Sequence, residues 1–253
     1  MSAERIVCLV PSLTETLVDF GLLDRLVGRT RYCTEPSSEI DPVQIVGGTK
    51  NPDIEAVVAL APDLVVMNAE ENRLEDYEAL AAAGLTVHVT HPRTVVEAAA
   101  MLGDLGRVTG ADAAGRRLEQ ASLAALAEIS QSDSVRRRTP VFCPIWRNPW
   151  MTFHRRTYVG DVLAAVGLEN VFGGETERGA DFFAVELETV AERSPQLVLL
   201  PDEPYVFAAE HAQELADLNI GTLHRLIDGK DLSWYGPRLP AALRRLAALM
   251  APK

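Results

Sequence analysis

The sequence predicts an α/β fold with two Rossmann-like lobes, each built on a parallel sheet, joined by a single long backbone helix. Short apolar strands alternate with helical patterns along most of the chain, which is typical of βαβ units and parallel sheets. One helical stretch near the middle runs for 22 residues. The segments on its two sides repeat one order of elements, which indicates two lobes of the same kind.

The N-terminal lobe is predicted to span residues 1–110. Its first strand is the apolar run RIVCLV at 5–10, and the next helix begins at Ser12, with Glu15 at the spacing of a capping box. Gly21 falls where helices commonly end. The remaining elements predicted for this lobe are strands at 63–68 and 86–91 and helices at 73–84 and 94–110.

The long helix is predicted at 111–132, where Gly115 is the only glycine and no proline occurs. At 1.5 Å per residue it would be about 33 Å long, enough to run from one lobe to the other. Strand and helix patterns resume after it. We therefore place the C-terminal lobe at 139–253, ending in the helical sequence LPAALRRLAALM.

The two halves share a motif in which a glutamate opens a short helix, a proline ends it seven residues later, and a buried strand follows. Glu55 and Pro62 occupy these positions in the first half, and Glu188 and Pro195 occupy them in the second. Acids in the first turn are also favoured by the helix dipole alone. Coincidence between similar βαβ units is the alternative to a true repeat.

The composition excludes several classes of protein. A formal net charge of −12 argues against a nucleic-acid partner, which needs a basic stripe. No apolar run is long enough to cross a membrane. The chain begins almost directly with a strand and shows no signal-peptide pattern, so the protein is either cytoplasmic or has lost a leader.

Motifs for catalysis, phosphate binding and metal binding are missing from the sequence. The cysteines, Cys8, Cys33 and Cys143, show no CxxC spacing, and we interpret Cys8 and Cys143 as buried, inert thiols. No histidine pair has the spacing of a zinc site. GxGxxG, GxxxxGK[ST] and GxSxG are also missing. We therefore predict no catalytic residue, no metal ligand and no intrinsic cofactor.

Candidate ligand contacts follow the predicted strands. Glu70, Glu71 and Asn72 come at the carboxyl end of the strand at 63–68, where open α/β sheets bind their ligands. They could hydrogen-bond the polar edge of a ligand. The alternative is a solvated loop that caps the next helix.

Aromatic residues are concentrated in two other stretches. IWRNPWMTF, at 145–153, follows the first strand of the second half, and DLSWYGPRLP precedes the last helix. Apolar planes with a few polar groups suit a buried flat ligand, although core packing is an alternative for each ring. The candidate contacts in these stretches are Trp146, Arg147, Trp150, Phe153, Trp234 and Tyr235.

The chain resembles a known family over nearly its whole length. The segments that carry the resemblance, in order, are RIVCLVPSLTETLVDFGLLDRLVGRTRYC, VGGTKNPDIEAVVALAPDLVVM, WRNPWMTF, TYVGDVLAAVGLENVFGG and SPQLVLLPDEPY. They are similar to the helical-backbone (class III) periplasmic binding proteins, the receptors of ABC importers for cobalamin, haem and ferric siderophores. The cobalamin-binding receptors are the most similar group. The resemblance implies a monomer that binds its ligand in the cleft between two lobes.

The resemblance also implies roles for particular residues. Glu55 and Glu188 match the acids that dock onto the membrane permease, and Tyr32 matches a tyrosine of the ligand cleft. Thr49 stands where the cobalamin receptors have a stacking tryptophan, and Glu35 stands where they have a second aromatic residue. These two departures leave the identity of the chelate open. A periplasmic location is expected from the family.

Three functions are consistent with these patterns. The first is a solute-binding protein of an ABC importer that binds a cobalamin-like corrinoid or another metal chelate and has no chemistry of its own. The second is a cytoplasmic tetrapyrrole- or metal-handling enzyme on the same scaffold, in which His154 and Glu70 or Glu71 act as acid and base. The third is a ligand sensor or carrier without a permease.

Overall fold

The computed structural model describes residues 3–174 and 180–249, which form two compact units. The N-terminal unit runs to Pro92 and also includes Ala98–Gln120 and Tyr235–Pro237. The C-terminal unit comprises Arg93–Glu97, Ala121–Trp234 and the chain from Arg238 onward. The predicted lobe limits, and the bridging role of the helix predicted at 111–132, stay predictions.

The N-terminal unit is built on a sheet of five parallel strands. The strands are β1 (Ile6–Cys8), β2 (Leu26–Arg29), β3 (Gln44–Ile45), β4 (Leu64–Asn68) and β5 (Val87–Thr90). Their order in the sheet is β3-β2-β1-β4-β5, so the direction of winding reverses between β1 and β4. The helices before β5 are α1 (Pro11–Asp19), α2 (Ser37–Ile40), α3 (Ile54–Ala59) and α4 (Leu74–Ala82).

Alternating apolar residues on these strands form the core of the N-terminal unit. Val7 and Leu9 on and after β1 lie with Val65 and Met67 of β4, and α3 and α4 cover them with Val57 and Leu80. The period of two along the strands and of three to four along the helices places these side chains on facing surfaces.

The start of α1 differs from the prediction. The helix begins at Pro11, its N-cap is Val10, and no side chain caps it, so the predicted capping box of Ser12 and Glu15 is wrong. Proline suits the first turn because it lacks the N–H that would have no partner there. The predicted helix end is confirmed, since Gly21 follows the helix with a φ of +76°.

Three helices follow β5 in the sequence: α5 (Val95–Thr109), α6 (Asp112–Ser130) and α7 (Asp133–Arg136). The helix predicted at 111–132 is thus observed as the 19 residues of α6. Among the helices of the described residues, none is long and apolar enough to cross a membrane.

The C-terminal unit has a parallel sheet of four strands and a separate antiparallel pair. Its strands are β6 (Thr139–Phe142), β7 (Met151–Phe153), β8 (Leu168–Asn170), β9 (Phe182–Ala184), β10 (Leu197–Pro201) and β11 (Leu223–Ile227). The parallel order is β11-β10-β6-β8, and β7 pairs with β9. The helices are α8 (Tyr158–Ala165), α9 (Leu187–Glu192), α10 (Ala209–Asp217), α11 (Gly229–Ser233) and α12 (Leu239–Ala248). The α/β class and its parallel sheets are confirmed, but the antiparallel pair was not predicted.

Within the N-terminal unit, α5 and α6 touch through glycines. A Cβ atom on Gly115 would lie 2.8 Å from the carbonyl oxygen of Leu102 and 2.9 Å from the Cα of Gly106. Both neighbours are backbone and cannot rotate away. By contrast, a Cβ atom on Gly103 would meet only the carboxylate end of Glu119, which is flexible.

We expect Gly115→Ala to lower the free energy of unfolding by about 1–3 kcal/mol, because the added methyl group pushes α5 and α6 apart. The matched control is Gly103→Ala, which should be neutral or raise that free energy by up to about 1 kcal/mol through better helix propensity. Urea denaturation followed by circular dichroism measures both. Equal stability of the two variants would contradict the glycine contact.

Candidate functional site

In a parallel sheet, the loops that follow the carboxyl ends of the strands share one edge, and ligands bind there near the point where the winding reverses. In the N-terminal unit this point lies between β1 and β4. The loops on this edge hold the predicted contacts Tyr32, Thr49, Glu70, Glu71 and Asn72. The structure therefore brings these five residues to one edge of one sheet.

Asn72 ties three of these loops together. Its side-chain oxygen accepts a hydrogen bond from the backbone N–H of Asn68 at 2.8 Å. Its side-chain nitrogen donates to the carbonyl oxygens of Leu9 at 3.2 Å and Thr49 at 2.9 Å. The residue is 6% exposed. Its amide group thus braces the loops after β1, β3 and β4.

Glu70 and Glu71 keep their carboxylates half-buried on the same edge. Both backbone N–H groups donate to the side-chain oxygen of Asn68, at 2.8 and 3.3 Å. The carboxylate of Glu71 accepts a hydrogen bond from the hydroxyl of Tyr235 at 3.4 Å. The backbone that carries the two acids is therefore fixed by side chains of the loop itself.

Tyr32 presents an aromatic ring at this edge, with 57% of the residue exposed. A Cβ atom on Gly48 would lie 3.2 Å from a ring carbon of Tyr32, so the ring rests against the backbone of the glycine turn. Gly47 adopts a φ of +98°, a conformation that side chains rarely allow. Thr49 follows this turn half-buried.

In the C-terminal unit, an aromatic cluster follows the carboxyl ends of the neighbouring strands β6 and β10. Trp146 is 43% exposed and makes an edge-to-face contact with Tyr205, at 5.6 Å between ring centroids. Trp150 stacks on Phe207 at 5.7 Å, with 11° between the planes. Tyr205 and Phe207 contact each other at 4.7 Å.

Tyr205 and Phe207 were missed by the sequence analysis, although a signal was available. They occur in PDEPYVF directly after the buried run LVLL, and the strand-end rule applies to that segment as well. His211 of α10 belongs to the same cluster, with its Nε2 3.4 Å from the hydroxyl of Tyr205.

Arg147 is held by an acid within its own unit. Its guanidinium donates to both carboxylate oxygens of Glu214, at 2.8 and 3.0 Å, and lies 5.6 Å from the ring centroid of Trp150. The loop that carries Trp146 is thereby attached to α10. Because Arg147 already has a bidentate partner, its charge is compensated locally.

Other predicted aromatic contacts are buried. Phe153 is fully buried on β7, so its ring is part of the core and not of the surface that a ligand can reach. Trp150 is half-buried and packs against the core cluster that contains Phe142 and Phe207. The aromatic stretch thus divides between core and surface, and Trp146 is its exposed member.

Trp234 and Tyr235 are each only 5% exposed. The indole N–H of Trp234 donates to Glu203 at 2.8 Å, and Lys230 lies 5.1 Å from its ring. The sequence placed both aromatic residues among the ligand contacts. The structure places them among buried side chains whose polar atoms have partners.

His154 and the cysteines show no arrangement for catalysis. His154 is buried, and its Nδ1 accepts a hydrogen bond from the backbone N–H of Arg156 at 3.1 Å. Burial, with the nearby charge of Arg156, lowers the pKa of His154. The cysteines predicted as inert are confirmed as buried, Cys33 is buried as well, and burial raises all three pKa values. Among the described residues, no group of three or more His, Cys, Asp or Glu side chains could hold a metal.

Glu55 and Glu188 occupy equivalent places in the two units. Each is exposed and is the second residue of a six-residue helix, α3 or α9, that leads into the buried strand β4 or β10. The side chain of Asp53 caps α3 by accepting from the N–H of Ala56 at 3.0 Å. The motif repeated in the sequence is therefore repeated in the structure.

The chain belongs to a family described as Periplasmic binding protein, whose model matches residues 6–217. The Vitamin B12-binding protein of Vibrio campbellii is 23% identical over 210 residues, which cover 83% of this chain and 72% of that protein. An uncharacterised ABC transporter substrate-binding lipoprotein of Bacillus subtilis is 26% identical over 261 residues, covering 98% of this chain and 80% of that protein.

A solved structure of a periplasmic haem-binding protein from Pseudomonas aeruginosa has a TM-score of 0.83. Its sequence is 22% identical, with 99% of this chain and 94% of that chain covered, and this likeness shows the fold. The family consists of substrate-binding transport proteins. The chain is therefore a solute-binding protein and not an enzyme.

We expect Asn72→Ala to lower the free energy of unfolding by about 2–3 kcal/mol, because it leaves buried backbone groups of three loops without partners. Asn72→Asp is the matched control, since it keeps the shape and the acceptor but loses both donated hydrogen bonds. It should be destabilised at pH 7 by at least as much. Urea denaturation that finds Asn72→Asp as stable as the wild type would contradict the role of Asn72 as a brace.

Proposed function

We propose that this protein binds a flat, largely apolar metal chelate of the corrinoid or porphyrin type and delivers it to an ABC permease. The observation that carries the proposal is the exposed indole of Trp146, supported edge-on by Tyr205 at the carboxyl edge of the C-terminal sheet. Relatives named as binding vitamin B12 and haem support the same ligand class.

The exposed aromatic residues supply the affinity in this proposal. Trp146 in the C-terminal unit and Tyr32 in the N-terminal unit each present an exposed ring, at the carboxyl edge of their own sheet, on which a flat ligand can stack. Burial of apolar area contributes about 25 cal/mol per Å² before the cost of ordering is subtracted. Because both rings rest on other groups of their own unit, little entropy is lost when a ligand lands on them.

The polar residues have a different part. Glu70 and Glu71 orient amide or hydroxyl groups at the edge of the ligand, while Asn72 holds the loops that carry them. Thr49 lines the glycine turn beside Tyr32. The metal arrives inside its chelator, so the protein needs no cofactor of its own.

Glu55 and Glu188 are the proposed contacts with the permease. Their exposure, their equal places in α3 and α9, and the matching positions in the cobalamin receptors support this role. Delivery to a permease requires that the protein works outside the cytoplasm, and we propose that location. The monomer is the proposed working form.

Trp146→Ala should weaken binding of the preferred chelate by about tenfold or more and leave the free energy of unfolding within about 0.5 kcal/mol of the wild type. Trp150→Ala, the matched variant on the same loop, should instead lower that free energy by about 2–4 kcal/mol, because it removes a ring from the core. Titrations with cyanocobalamin, cobinamide, haem and a ferric siderophore, followed by tryptophan quenching, give the affinities.

A wild type that binds none of cyanocobalamin, cobinamide and haem, including one that binds only the siderophore, would overturn the proposed function. Trp146 would not belong to the site if Trp146→Ala bound the chelate as tightly as the wild type, while Trp150→Ala lost binding only to the extent that it unfolds.

Glu55→Lys combined with Glu188→Lys should abolish uptake of the bound chelate by cells of the native host and leave its affinity for the purified protein unchanged. The charge reversal replaces two docking acids with repelling cations. Glu39→Lys with Glu210→Lys is the control, because both of these glutamates are also exposed on helices. Equal uptake by the two double variants would argue against docking through α3 and α9.

A further inference from the structure

The loop that follows β2 is held in place by a buried arginine. The guanidinium of Arg29 donates to the carbonyl oxygens of Cys33 at 2.9 Å, Ile40 at 3.0 Å and Thr30 at 3.4 Å. Arg29 is 6% exposed, and no carboxylate pairs with it among the described residues. Its charge is therefore spread over carbonyl groups and is not cancelled by an acid.

Arg31 stands two residues farther along, on the same loop, with its side chain exposed. Its backbone N–H donates to the carbonyl oxygen of Gly47 at 2.9 Å, so its position is fixed by the glycine turn. Its guanidinium forms no hydrogen bond or ion pair within the described parts of the chain. The backbone of Arg31 is thus fixed, while its guanidinium has no partner in the described parts of the chain.

The other basic side chains described on this edge of the sheet have hydrogen-bond or ion-pair partners. Lys50 donates to the carbonyl oxygen of Glu70 at 2.6 Å, and Arg73 pairs with Asp76 at 2.7 Å. His91 lies 3.7 Å from the carboxylate of Glu70. Among the described residues of this edge, Arg31 differs from these side chains because none of its guanidinium donors has a protein partner.

The short segment that carries Arg31 has a formal charge of the opposite sign to that of the whole chain. Residues 29–36 contain two arginines and one acid, Glu35, which gives a formal charge of +1, whereas the whole chain carries −12. Buried and partly buried charges act on a ligand with less screening than charges in bulk water. The segment 29–36 is thus slightly basic in a chain that is acidic as a whole, and Glu70 and Glu71 lie on the same edge of the sheet.

Tyr32 places an aromatic ring beside this cation. It follows Arg31 directly, and its exposed ring rests against Gly48. A cation beside an aromatic ring suits a flat ligand that carries an acidic group at its rim. The ring stacks on the face of the ligand, and the guanidinium binds the anion with up to two hydrogen bonds.

We propose that Arg31 binds an acidic group at the rim of the chelate, either a carboxylate or a phosphodiester. This inference rests on the proposed function and adds the chemistry of the ligand's edge. It makes Arg31 a residue that distinguishes ligands with an acidic rim from ligands of the same shape without one.

Two matched pairs of probes separate the sources of the anion. Haem carries two carboxylates that haem dimethyl ester lacks, and cyanocobalamin carries a phosphodiester that cobinamide lacks. Dissociation constants for all four are measured by tryptophan quenching with the wild type, Arg31→Gln, Arg31→Lys and the exposed control Arg137→Gln. Thermal melting confirms that each variant is folded.

Arg31→Gln should weaken binding of one acidic probe by about tenfold or more and leave its acid-free counterpart within about twofold. Arg31→Lys should keep part of the difference because it keeps the charge but not the planar fork. Arg137→Gln should leave all four constants unchanged. An effect on haem but not on its dimethyl ester identifies a carboxylate. An effect on cyanocobalamin but not on cobinamide, which also lacks the ribose and the benzimidazole, places the contact on the nucleotide arm that carries the phosphodiester.

Equal effects of Arg31→Gln on both members of every pair, or no effect on any probe that the wild type binds, would overturn the role of Arg31 while the receptor function stands. A wild type that binds none of the four probes would overturn the proposed function and the role of Arg31 together.

Discussion

Parallel pairing of the strands is the constraint on which the rest of each unit depends. It places every loop that could touch a ligand at one edge of the sheet, but it leaves those loops without strand partners. Side chains supply the missing connections. In the N-terminal unit Asn72 and Arg29 bond to backbone groups of these loops, and in the C-terminal unit Arg147 and Glu214 attach the aromatic loop to α10. The edges are organised before any ligand arrives.

This arrangement separates two kinds of residue. The side chains of Asn72, Arg29 and Arg147 form hydrogen bonds within the protein, and these bonds hold the loops in place. Tyr32 and Trp146 keep large rings exposed on rigid supports. Binding energy then comes from the exposed rings, and the committed polar groups reduce the entropy that binding would otherwise cost.

The sequence predicted the features that depend on local periodicity. The strands β1, β4 and β10, the repeated glutamate helices and the glycine after α1 follow from short-range patterns. Long-range partners decided the rest. Phe153 lies in the core because β7 pairs with β9, and Trp150 is shared between core and surface because Phe207, 57 positions later in the chain, stacks on it. A single sequence does not record such pairings.

Family membership assigns the scaffold and the solute-binding role, while the ligand is decided by the loops at the strand ends. The most direct test is hydrogen–deuterium exchange of the purified protein with and without saturating cyanocobalamin, with haem as the second ligand. We expect protection in the loops at the carboxyl edges of both sheets, at 30–34, 46–50, 69–73, 145–150 and 203–207. Protection confined to other segments, or no change at saturation with either ligand, would contradict it.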